Sequence, residues 1–516
     1  LFHLLTQINM SLFLIFSVLS VLSFSVLILK IVFPPWNFPK NIPTIPFYIV
    51  FLPSILKIDQ IELYETYIKD PLEKYGAVKI FFGSRWNILV SRPEFLTQIF
   101  RDENTFAKSG NQKKIPSSVL AAYTGDNIIS AHGEVWRTYR GIMTTPLQQF
   151  DDKPFENNAK LFCSLIRREV SSMSLGNKMA DVVMPPLIQK LTLDNISQVL
   201  LGFDFNTLTQ DSVPLHQKLT EIKKQIFHPL FLTFPFLDSL PIPQRQQSFK
   251  EVEKFRSILV NKVQDELVKN YQFEQTKFAS SELIKAYNNN EIDYKQLSDN
   301  IVILLVAGHE NPQLLLTTLL YLLAKHPDTW QRKVYDEIKD IQDYNDLSNL
   351  VTLNSFIFEA IRFYPPLNTI INRCTTKKCR LGNNITIPKN AYVGYNNYYA
   401  THDERFWGYT ANVFDPKRWG NNMDMIMKTW RHHKTNSSMS SFHGGKRACL
   451  GEKMALVEMR VTIWELLKMF KITLSPNWKE KFTPAGPLCP VNLMLNFEDR
   501  VEDEFDSIPS IIVGNN

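Results

Sequence analysis

A single cysteine in a glycine-rich bend is the feature that most constrains this 516-residue chain. Cys449 follows two glycines, Lys446 and Arg447, and it precedes a stretch with the apolar periodicity of a helix. Glycines let the backbone turn tightly and approach a flat ligand where a Cβ atom would collide. The basic side chains and the helix N-terminus favour a thiolate, which is a strong axial ligand of haem iron. A buried structural cysteine is the alternative, and a cysteine without further pattern would favour it.

The spacing of five residues around this cysteine argues against that alternative. Phe442, Gly445, Arg447, Cys449 and Gly451 match F-x-x-G-x-R-x-C-x-G, and the segment thereby resembles the haem-thiolate monooxygenases, the cytochromes P-450. The resemblance implies haem b (iron protoporphyrin IX) as the cofactor and Cys449 as its iron ligand. It also implies that Phe442 packs beside the sulfur and that Arg447 meets a haem propionate.

A tryptophan and an arginine upstream share one face of a predicted helix. Trp136 and Arg140 are four residues apart, a spacing that often reflects only surface packing. Their spacing is similar to the family's W-x-x-x-R, in which both side chains hydrogen-bond a propionate. By the same resemblance, Arg373 at the start of a strand-rich stretch is the partner of a second propionate.

Residues 297–325 are predicted to form one long, mostly apolar helix that contains a proline. Pro312 has no N–H for the carbonyl of Gly308, so the helix opens where a small ligand can approach. A kinked core helix is the alternative. The stretch resembles the family's A-G-x-[DE]-T groove for oxygen, with Gly308 facing the iron and Glu310 as the acid.

The chain departs from that groove at one position. Asn311 replaces the usual threonine, which helps to deliver protons. An amide holds a water molecule but does not itself pass on a proton as a hydroxyl does. Proton delivery is therefore expected to run through water, with Glu310 and His309 as sources.

A second set of residues is expected to hold the loop before the cysteine. Glu359 and Arg362 are three apart on a predicted helix, a spacing also typical of a routine surface ion pair. Downstream, the family's P-E-R-F segment has Lys417 in place of glutamate and Trp419 in place of phenylalanine. The resemblance implies a buried structural triad of Glu359, Arg362 and Arg418.

An apolar segment lies near the N-terminus. Residues 12–29 carry no charge, and as a helix they would be about 27 Å long, close to the roughly 30 Å hydrocarbon core of a bilayer. Lys30 follows, and prolines come next without a small-residue cleavage site, which favours a signal anchor over a cleaved signal peptide. The catalytic domain is then expected to face the cytosol from the endoplasmic reticulum membrane.

These patterns predict the organisation of the whole chain. It has an extension at 1–11, a transmembrane anchor at 12–33, a stiff proline-rich linker at 34–47, a catalytic domain at 48–500 and a loose acidic tail at 501–516. The fold is expected to be mainly α with small β-sheets, as the cytochrome P-450 resemblance implies. A β-hairpin is predicted at 77–89, and an irregular aromatic segment at 223–243 is expected over the substrate entrance.

Composition limits the other possibilities. Hydrophobic residues make up 44% and charged residues 21% of the chain, as in a globular protein with a large core. The net charge of +6 is modest and no dense basic run is present, so nucleic acid is not an expected partner. The five cysteines are scattered, which does not favour a disulfide framework.

Runs outside the haem signatures narrow the resemblance to the dityrosine-forming cytochromes P-450 of yeast spore-wall synthesis. They include NFPKNIPTIPFY, EKYGAVKIFFGSRWNILV, TFAKSGNQKKIP, KKQIFHPLFL and AGHENPQLLL. The implied substrate is N-formyl-L-tyrosine and the implied reaction is phenol coupling to N,N'-bisformyl dityrosine. Lys113, Lys114 and Tyr123 precede the Trp136 helix and are candidates for binding the substrate carboxylate.

Two other functions share parts of this pattern. A microsomal monooxygenase that hydroxylates a sterol, fatty acid or xenobiotic would carry the same haem motifs. A haem electron carrier or gas sensor would also use an axial cysteine, but it would not need the opening at Pro312. The family implies NADPH–cytochrome P-450 reductase as electron donor, so that NADPH acts indirectly, with docking expected near Arg140, Lys446 and Lys453.

Overall fold

The computed structural model describes residues 2–173, 180–270 and 275–500. The tail predicted at 501–516 lies outside these residues. Within them the helices are α1 (Phe2–Val32), α2 (Leu52–Leu56), α3 (Gln60–Leu63), α4 (Lys69–Tyr75), α5 (Pro93–Arg101), α6 (Asn111–Lys114), α7 (Val119–Thr124), α8 (Gly133–Gln148), α9 (Lys153–Met173), α10 (Met184–Ile196), α11 (Pro214–Ile226), α12 (Pro229–Thr233), α13 (Pro243–Asn270), α14 (Ala279–Asn288), α15 (Tyr294–Lys325), α16 (Arg332–Ile338), α17 (Val351–Phe363), α18 (Asn397–His402), α19 (Glu404–Trp407), α20 (Met423–Thr435) and α21 (Glu452–Met469).

Small sheets flank this helical body, which confirms the predicted fold class. The strands are β1 (Ala77–Phe82), β2 (Arg85–Val90), β3 (Phe106–Lys108), β4 (Val182–Val183), β5 (Thr369–Thr375), β6 (Cys379–Leu381), β7 (Ile385–Ile387), β8 (Tyr392–Asn396), β9 (Phe470–Leu474) and β10 (Met494–Asp499). The largest sheet has the order β1-β2-β8-β5-β3, and the others are β4-β10-β9 and β6-β7. The predicted hairpin is present as β1–β2, joined by Gly83 and Ser84. Both have left-handed φ angles, as a two-residue hairpin turn that matches the strand twist requires.

Helix α15 crosses the core and begins three residues before the predicted start. Asp293 accepts a hydrogen bond from the Gln296 backbone N–H, and the Gln296 side chain accepts one from the Asp293 N–H. This capping box satisfies two backbone donors that the helix itself cannot pair. The broken segment near 223–243 is also as predicted, since α12 and a short turn interrupt the path from α11 to α13.

The N-terminal helix α1 has the length and composition of a membrane span. Residues Leu12–Val32 have a mean hydropathy of 2.8, and none of that stretch is buried against the rest of the chain. Its last turn meets the rest of the chain, where Ile31 packs against the core, and an apolar helix otherwise so exposed is expected to be covered by lipid. This helix is therefore a candidate anchor, and it begins at Phe2, inside the stretch predicted as an extension.

The proline-rich stretch at 34–47 is not a free linker along its whole length. Ile42 and Ile45 are buried. The Ile45 N–H donates to the Lys79 carbonyl at 2.9 Å, and the Lys79 N–H donates to the Pro43 carbonyl at 2.9 Å. Because apolar residues alternate with the prolines, the second part of this stretch packs along β1 and belongs to the catalytic domain.

A buried carboxylate organises the segment that leads to the cysteine loop. Glu359 on α17 accepts from the guanidinium of Arg362 at 2.8 and 2.9 Å and from Arg418 Nε at 2.9 Å. Trp419 Nε1 also donates to it, at 3.1 Å. The tryptophan that departs from the family pattern therefore adds a donor that phenylalanine lacks. Arg362 also donates to the carbonyl of Thr401 in α18 and to that of Ala411 in the loop after α19.

Replacing this carboxylate should destabilise the fold strongly. Glu359→Gln leaves two buried guanidinium groups without their counter-charge, and we expect the free energy of unfolding to fall by about 3–5 kcal/mol. Trp419→Phe removes a single donor and should cost only about 1 kcal/mol. Urea unfolding followed by circular dichroism measures both. Equal losses in the two variants would contradict the central position of Glu359.

A second buried carboxyl lies where α21 meets α10. Glu458 Oε1 accepts a hydrogen bond from Asn195 Nδ2 at 2.8 Å, and Asn195 Oδ1 accepts one from Asn158 at 2.9 Å. Burial raises the pKa of Glu458 to about 8, against the smaller lowering by the Asn195 hydrogen bond. Glu458 therefore carries a proton in the folded protein near neutral pH.

This raised pKa predicts how stability changes with pH. Between about pH 5 and about pH 8 the unfolded chain has released the Glu458 proton and the folded chain retains it, so the free energy of unfolding falls as the pH rises. Glu458→Gln should remove this fall and gain stability relative to the parent, on the order of a few kcal/mol at the upper end. Urea unfolding at about pH 5 and about pH 8 measures the free energy of unfolding of the parent and of Glu458→Gln. Glu498→Gln is the control, because Glu498 is exposed. A difference between parent and Glu458→Gln that stays constant with pH would contradict the assignment.

Candidate active site

One cavity brings together most of the residues singled out from the sequence. Helix α15 forms one wall, and the cysteine loop and the start of α21 form the opposite wall. Helix α8 and strand β5 close the sides. The predicted site residues in its wall are Trp136, Arg140, Gly308, Asn311, Phe442, Arg447 and Cys449.

The cysteine loop is closed by a backbone hydrogen bond. The Cys449 N–H donates to the Phe442 carbonyl at 2.9 Å, and both residues line the cavity. The side chain of Cys449 is accessible from the cavity, so its Sγ is available to a ligand there. Phe442 also packs its ring edge-on against Trp430, with centroids 6.0 Å apart.

Two glycines of the cysteine loop are required for close packing against α5, whereas room for a flat ligand is the predicted reason. A Cβ at Gly444 would lie 2.7 Å from the ring of Phe100 on α5, and a Cβ at Gly445 would lie 2.8 Å from the Phe100 carbonyl. Gly445 also has a left-handed φ of 62°. These glycines therefore allow close packing of the loop against α5, and the expectation that they make room for a flat ligand does not apply to them.

The sulfur is not made acidic by its basic neighbours. Burial raises the pKa of Cys449, while a hydrogen bond from the Gly451 backbone N–H lowers it by a smaller amount. Arg447 turns toward the side of the cavity, where its guanidinium is paired with Glu103. Of the groups expected to favour the thiolate, the helix N-terminus lowers the pKa of Cys449 through its backbone N–H groups, whereas Lys446 and Arg447 are not among the main causes of the shift. Coordination to a metal ion would deprotonate such a thiol.

Two arginines on the side of the cavity share one carboxylate. Arg447 Nη1 lies 2.6 Å from Glu103 Oε1, and Arg373 Nη1 lies 3.7 Å from Glu103 Oε2. Arg447 also donates to the carbonyls of Ile128 and Ala131. Both arginine side chains are buried. Sequence reasoning gave no role to Glu103, because nothing in its local pattern predicts contact with residues so distant in the chain.

The buried hydrogen-bond donors of this cluster that lack an acceptor would suit the propionate carboxylates of haem. Arg373 Nε and Nη2 are buried without a hydrogen-bond partner among the described residues. Lys108, also missed from the sequence, is buried and lines the same cavity. Buried donors without acceptors are costly, and an anionic group would satisfy them. With Cys449 on the opposite wall from α15, the residues present suit an iron porphyrin with two propionates.

Trp136 and Arg140 lie on the cavity face of α8. The Arg140 guanidinium is 5.8 Å from the Trp136 ring centroid, and that of Arg447 is 4.5 Å from it. Arg140 Nη1 also donates to the Ala448 carbonyl at 3.3 Å. Helix α8 is therefore tied directly to the residue before Cys449, and both of its predicted side chains are placed to meet a ligand in the cavity.

Gly308 lines the opposite wall through its backbone. A Cβ there would lie 2.1 Å from Cδ1 of Ile196 on α10, so the glycine is required for close contact of the two helices as well as for an open groove. The Asn311 side chain donates to the Ala307 carbonyl at 3.4 Å, beside Pro312, and the helix runs through this proline without interruption. The amide remains at the cavity wall, where it can hold a water molecule.

Glu310 and His309 are turned away from this wall. Neither is among the described residues that line the cavity. Glu310 Oε1 lies 2.9 Å from Lys223 Nζ on α11. His309 is fully buried, and burial followed by the charge of Lys223 lowers its pKa to about 4. Because an α-helix turns by about 100° per residue, His309 and Glu310 face α11 while Asn311 faces the cavity.

The proposed carboxylate-binding residues also lie outside the cavity wall. Lys114 points to the large sheet, with Nζ 3.4 Å from the Ile371 carbonyl and 5.4 Å from the Tyr392 ring centroid. Burial lowers its pKa to about 7. Tyr123 is buried, and neither it nor Lys113 is among the described lining residues. The expectation that these three bind the substrate is therefore not supported by their positions.

The charge of Glu103 should matter most when the cavity contains no propionates. We expect Glu103→Gln to lower the free energy of unfolding of haem-free protein by about 2–3 kcal/mol, because Arg447 loses its buried partner. Haem-loaded protein should lose less, since propionates pair with the arginines. Thermal unfolding of both forms measures the difference, with the exposed pair member Glu134→Gln as control. Equal losses in the two forms would contradict this account.

Comparison with known proteins agrees with the geometry. The sequence profile of the cytochrome P-450 family matches residues 43–496. Cytochrome P-450-DIT2 of Saccharomyces cerevisiae is 60% identical over 480 residues, 93% of this chain and 97% of that protein. Cytochrome P-450 monooxygenase xanG of Aspergillus fumigatus is 33% identical over 88% of this chain and 86% of its own.

Solved structures show the same fold. A crystal structure of a cytochrome P-450 (CYP102L1) superposes with a TM-score of 0.71 at 19% identity, covering 90% of this chain and 100% of that one. The family match spans most of the chain, and the relative in yeast matches over almost its full length. The chain therefore belongs to the cytochrome P-450 family, and it is a haem-thiolate oxidoreductase.

Proposed function

We propose that this oxidoreductase couples two molecules of N-formyl-L-tyrosine through their phenol rings to N,N'-bisformyl dityrosine, for the spore wall. The observation that carries the proposal is the 60% identity to cytochrome P-450-DIT2 over 93% of the chain. The sequence runs that resemble dityrosine-forming enzymes include segments outside the haem signatures. Likeness in such segments supports a shared substrate more than likeness in the haem motifs does.

Haem held by Cys449 would supply the one-electron oxidation of each phenol. The chain's own residues hold and shield it. Arg447 in the cavity wall, together with the unpaired donors of Arg373 behind it, would bind its propionates, and Trp136 and Arg140 would contact it from α8. Phenol coupling needs the loss of one hydrogen atom from each substrate and no insertion of oxygen.

The cavity suits a substrate with an aromatic ring. Its wall above the cysteine is mostly aliphatic and includes Ile128, Ile303, Leu304 and Leu315. Burial of a phenol ring against such side chains is favourable, by about 25 cal/mol for each Å² removed from water. The apolar lining also keeps bulk water away from a radical, which limits side reactions.

Protons would reach the cavity through water held by Asn311. Its amide lies at the cavity wall next to Pro312, which has no N–H to donate to the Gly308 carbonyl. Glu310 is one residue away but is paired with Lys223 in this arrangement. A reorientation of Glu310 would be required before it could pass a proton to water at Asn311.

We further propose attachment to the endoplasmic reticulum membrane, with the catalytic domain in the cytosol. Helix α1 supports this, since it is apolar and none of its apolar window is buried inside the described part of the chain. The catalytic domain also exposes apolar side chains in the segments after this helix and around α12. These side chains are Tyr48, Ile55, Leu56, Phe227, Leu230, Phe236 and Leu240. Phe51 stacks on Phe234 with centroids 6.0 Å apart, which joins the first of these segments to the segment after α12.

NADPH–cytochrome P-450 reductase is the proposed electron donor. Lys446 and Lys453 are exposed, lie within four residues of Cys449 in the sequence, and are not among the described residues that line the cavity. Arg140, predicted with them, is turned inward to the cavity and the Ala448 carbonyl. An acidic partner surface would be attracted to the two lysines, and salt should weaken this attraction.

Turnover with resolved products tests the proposed reaction. Membrane-bound protein, reductase, NADPH and N-formyl-L-tyrosine should yield a dimer lighter than two substrate molecules by two hydrogens, because no oxygen is inserted. Mass spectrometry distinguishes this product from a monomer heavier by one oxygen. The oxygenated monomer would establish the hydroxylase alternative instead. Haem-loaded protein that gives neither product would exclude this substrate.

Removing the Asn311 amide beside Pro312 should impair proton delivery. We expect Asn311→Ala to slow coupling about tenfold, less than the roughly hundredfold or more of a group that transfers the proton itself, because the amide only holds the water, and to release more hydrogen peroxide per NADPH. The matched control is Gln313→Ala on the same helix, since Gln313 donates to the Pro185 carbonyl instead. Oxygen-electrode and peroxide assays measure the ratio. An Asn311→Ala enzyme that couples like the control would contradict the role of this amide.

A further inference from the structure

A tyrosine and a histidine form a hydrogen bond against the haem cavity, and neither has a role in the site described so far. The hydroxyl of Tyr395 and Nδ1 of His443 are hydrogen-bonded to each other. Tyr395 is almost completely buried, with 1% of its surface exposed. In the tautomer that carries its proton on Nε2, the neutral imidazole accepts this bond from the phenol at Nδ1.

Both residues belong to the elements that form the cavity. His443 follows Phe442 in the cysteine loop and lines the cavity itself. Tyr395 on β8 is paired in register with Ile370 on β5, and Ile370 also lines the cavity. Directly paired residues of neighbouring strands point to the same face of a sheet. The phenol therefore lies on the cavity side of the sheet, with the imidazole of His443 bonded to it.

The surrounding structure holds this pair firmly. The ring of Phe100 contacts Tyr395 and His443 edge-on, with centroids 5.4 and 6.4 Å away. His443 has a left-handed φ of 60°, a conformation that is unfavourable for a residue other than glycine. Gly444 and Gly445 follow and press against Phe100. A strained backbone at this position is retained because the packing around it fixes the imidazole.

This arrangement is chemically suited to electron transfer from the phenol. A buried phenol that loses an electron alone becomes a strongly acidic cation in an apolar site. A bonded imidazole can accept the phenolic proton in the same event, so no uncompensated cation forms on the tyrosine. At rest, burial raises the pKa of Tyr395 and lowers that of His443, so the proton stays on the phenol.

We propose that Tyr395 is a redox-active tyrosine that returns an electron to oxidised haem when no substrate phenol is present. In this step one electron leaves the phenol for haem that hydrogen peroxide, or oxygen and two electrons, has oxidised. The phenolic O–H bond breaks and an N–H bond forms at His443 Nδ1. The products are a neutral tyrosyl radical and an imidazolium. A later one-electron reduction reverses both transfers.

The charges around His443 make this step depend on haem. Lys108, Arg373 and Arg447 oppose a positive imidazole, and Glu103 is the carboxylate nearest to the two arginines. The two propionates of haem add negative charge at this place and favour the imidazolium. The inference rests on the haem chemistry of the family and not on the proposed substrate, so failure of one leaves the other unaffected.

Electron paramagnetic resonance tests the proposal on the haem-loaded, full-length protein. Ferric protein is mixed with hydrogen peroxide without substrate, frozen within seconds and compared with protein that contains ring-deuterated tyrosine. We expect an organic radical whose hyperfine pattern collapses on deuteration. Tyr395→Phe should reduce its yield per haem several-fold and speed peroxide bleaching of the haem. His443→Gln should also reduce the yield, since an amide accepts the hydrogen bond but does not take up the proton.

Tyr321→Phe is the matched control, because Tyr321 is also fully buried and its hydroxyl accepts from Lys325 instead of meeting an imidazole. It should leave the radical unchanged. An undiminished radical in Tyr395→Phe would overturn the proposal. High-field electron paramagnetic resonance tests the unsubstituted protein without any variant. A tyrosyl radical that accepts a hydrogen bond should show a reduced g anisotropy and a hyperfine coupling to an exchangeable proton. A radical without that proton, or no tyrosyl radical, would also overturn it.

Discussion

The burial of several cations beside a single cavity is the constraint on which this site depends. Arg373, Arg447 and Lys108 are buried, and Glu103 is the carboxylate that the structure pairs with the two arginines. Removing charged groups from water costs several kcal/mol each unless opposite charges compensate. A haem with two propionates supplies this compensation. The same groups that would bind the cofactor are therefore held in place at an energetic cost without it.

Two kinds of contact keep the walls of the cavity at a fixed separation. On the cysteine side, hydrogen bonds tie the loop to α8 through Arg140, and the Glu359 network fixes the segment before it. On the opposite side, close packing of α10 and α15 at Gly308 sets the wall. A porphyrin is rigid and flat, so a site built from fixed walls can orient it without rearrangement.

The predictions that agreed with the structure rest on short spacings within one element. The cysteine loop, the Trp136–Arg140 face and the Glu359–Arg362 pair are of this kind, because three or four residues define a helix face. Tertiary contacts decided the rest. Glu103 and the Tyr395–His443 pair have no local signal, since their partners lie far away in the chain. The direction of Glu310 depends on which neighbour packs against α15, and Lys223 could not be foreseen there.

The spectrum of the reduced protein with carbon monoxide tests the central claim most directly. Full-length protein loaded with iron protoporphyrin IX should show the strongly red-shifted absorption band of a thiolate-ligated haem. Cys449→Ser should bind haem at the same Arg373 and Arg447 and lack that band, because serine gives no thiolate. The red-shifted band in Cys449→Ser, or its absence from the haem-loaded parent, would contradict the account.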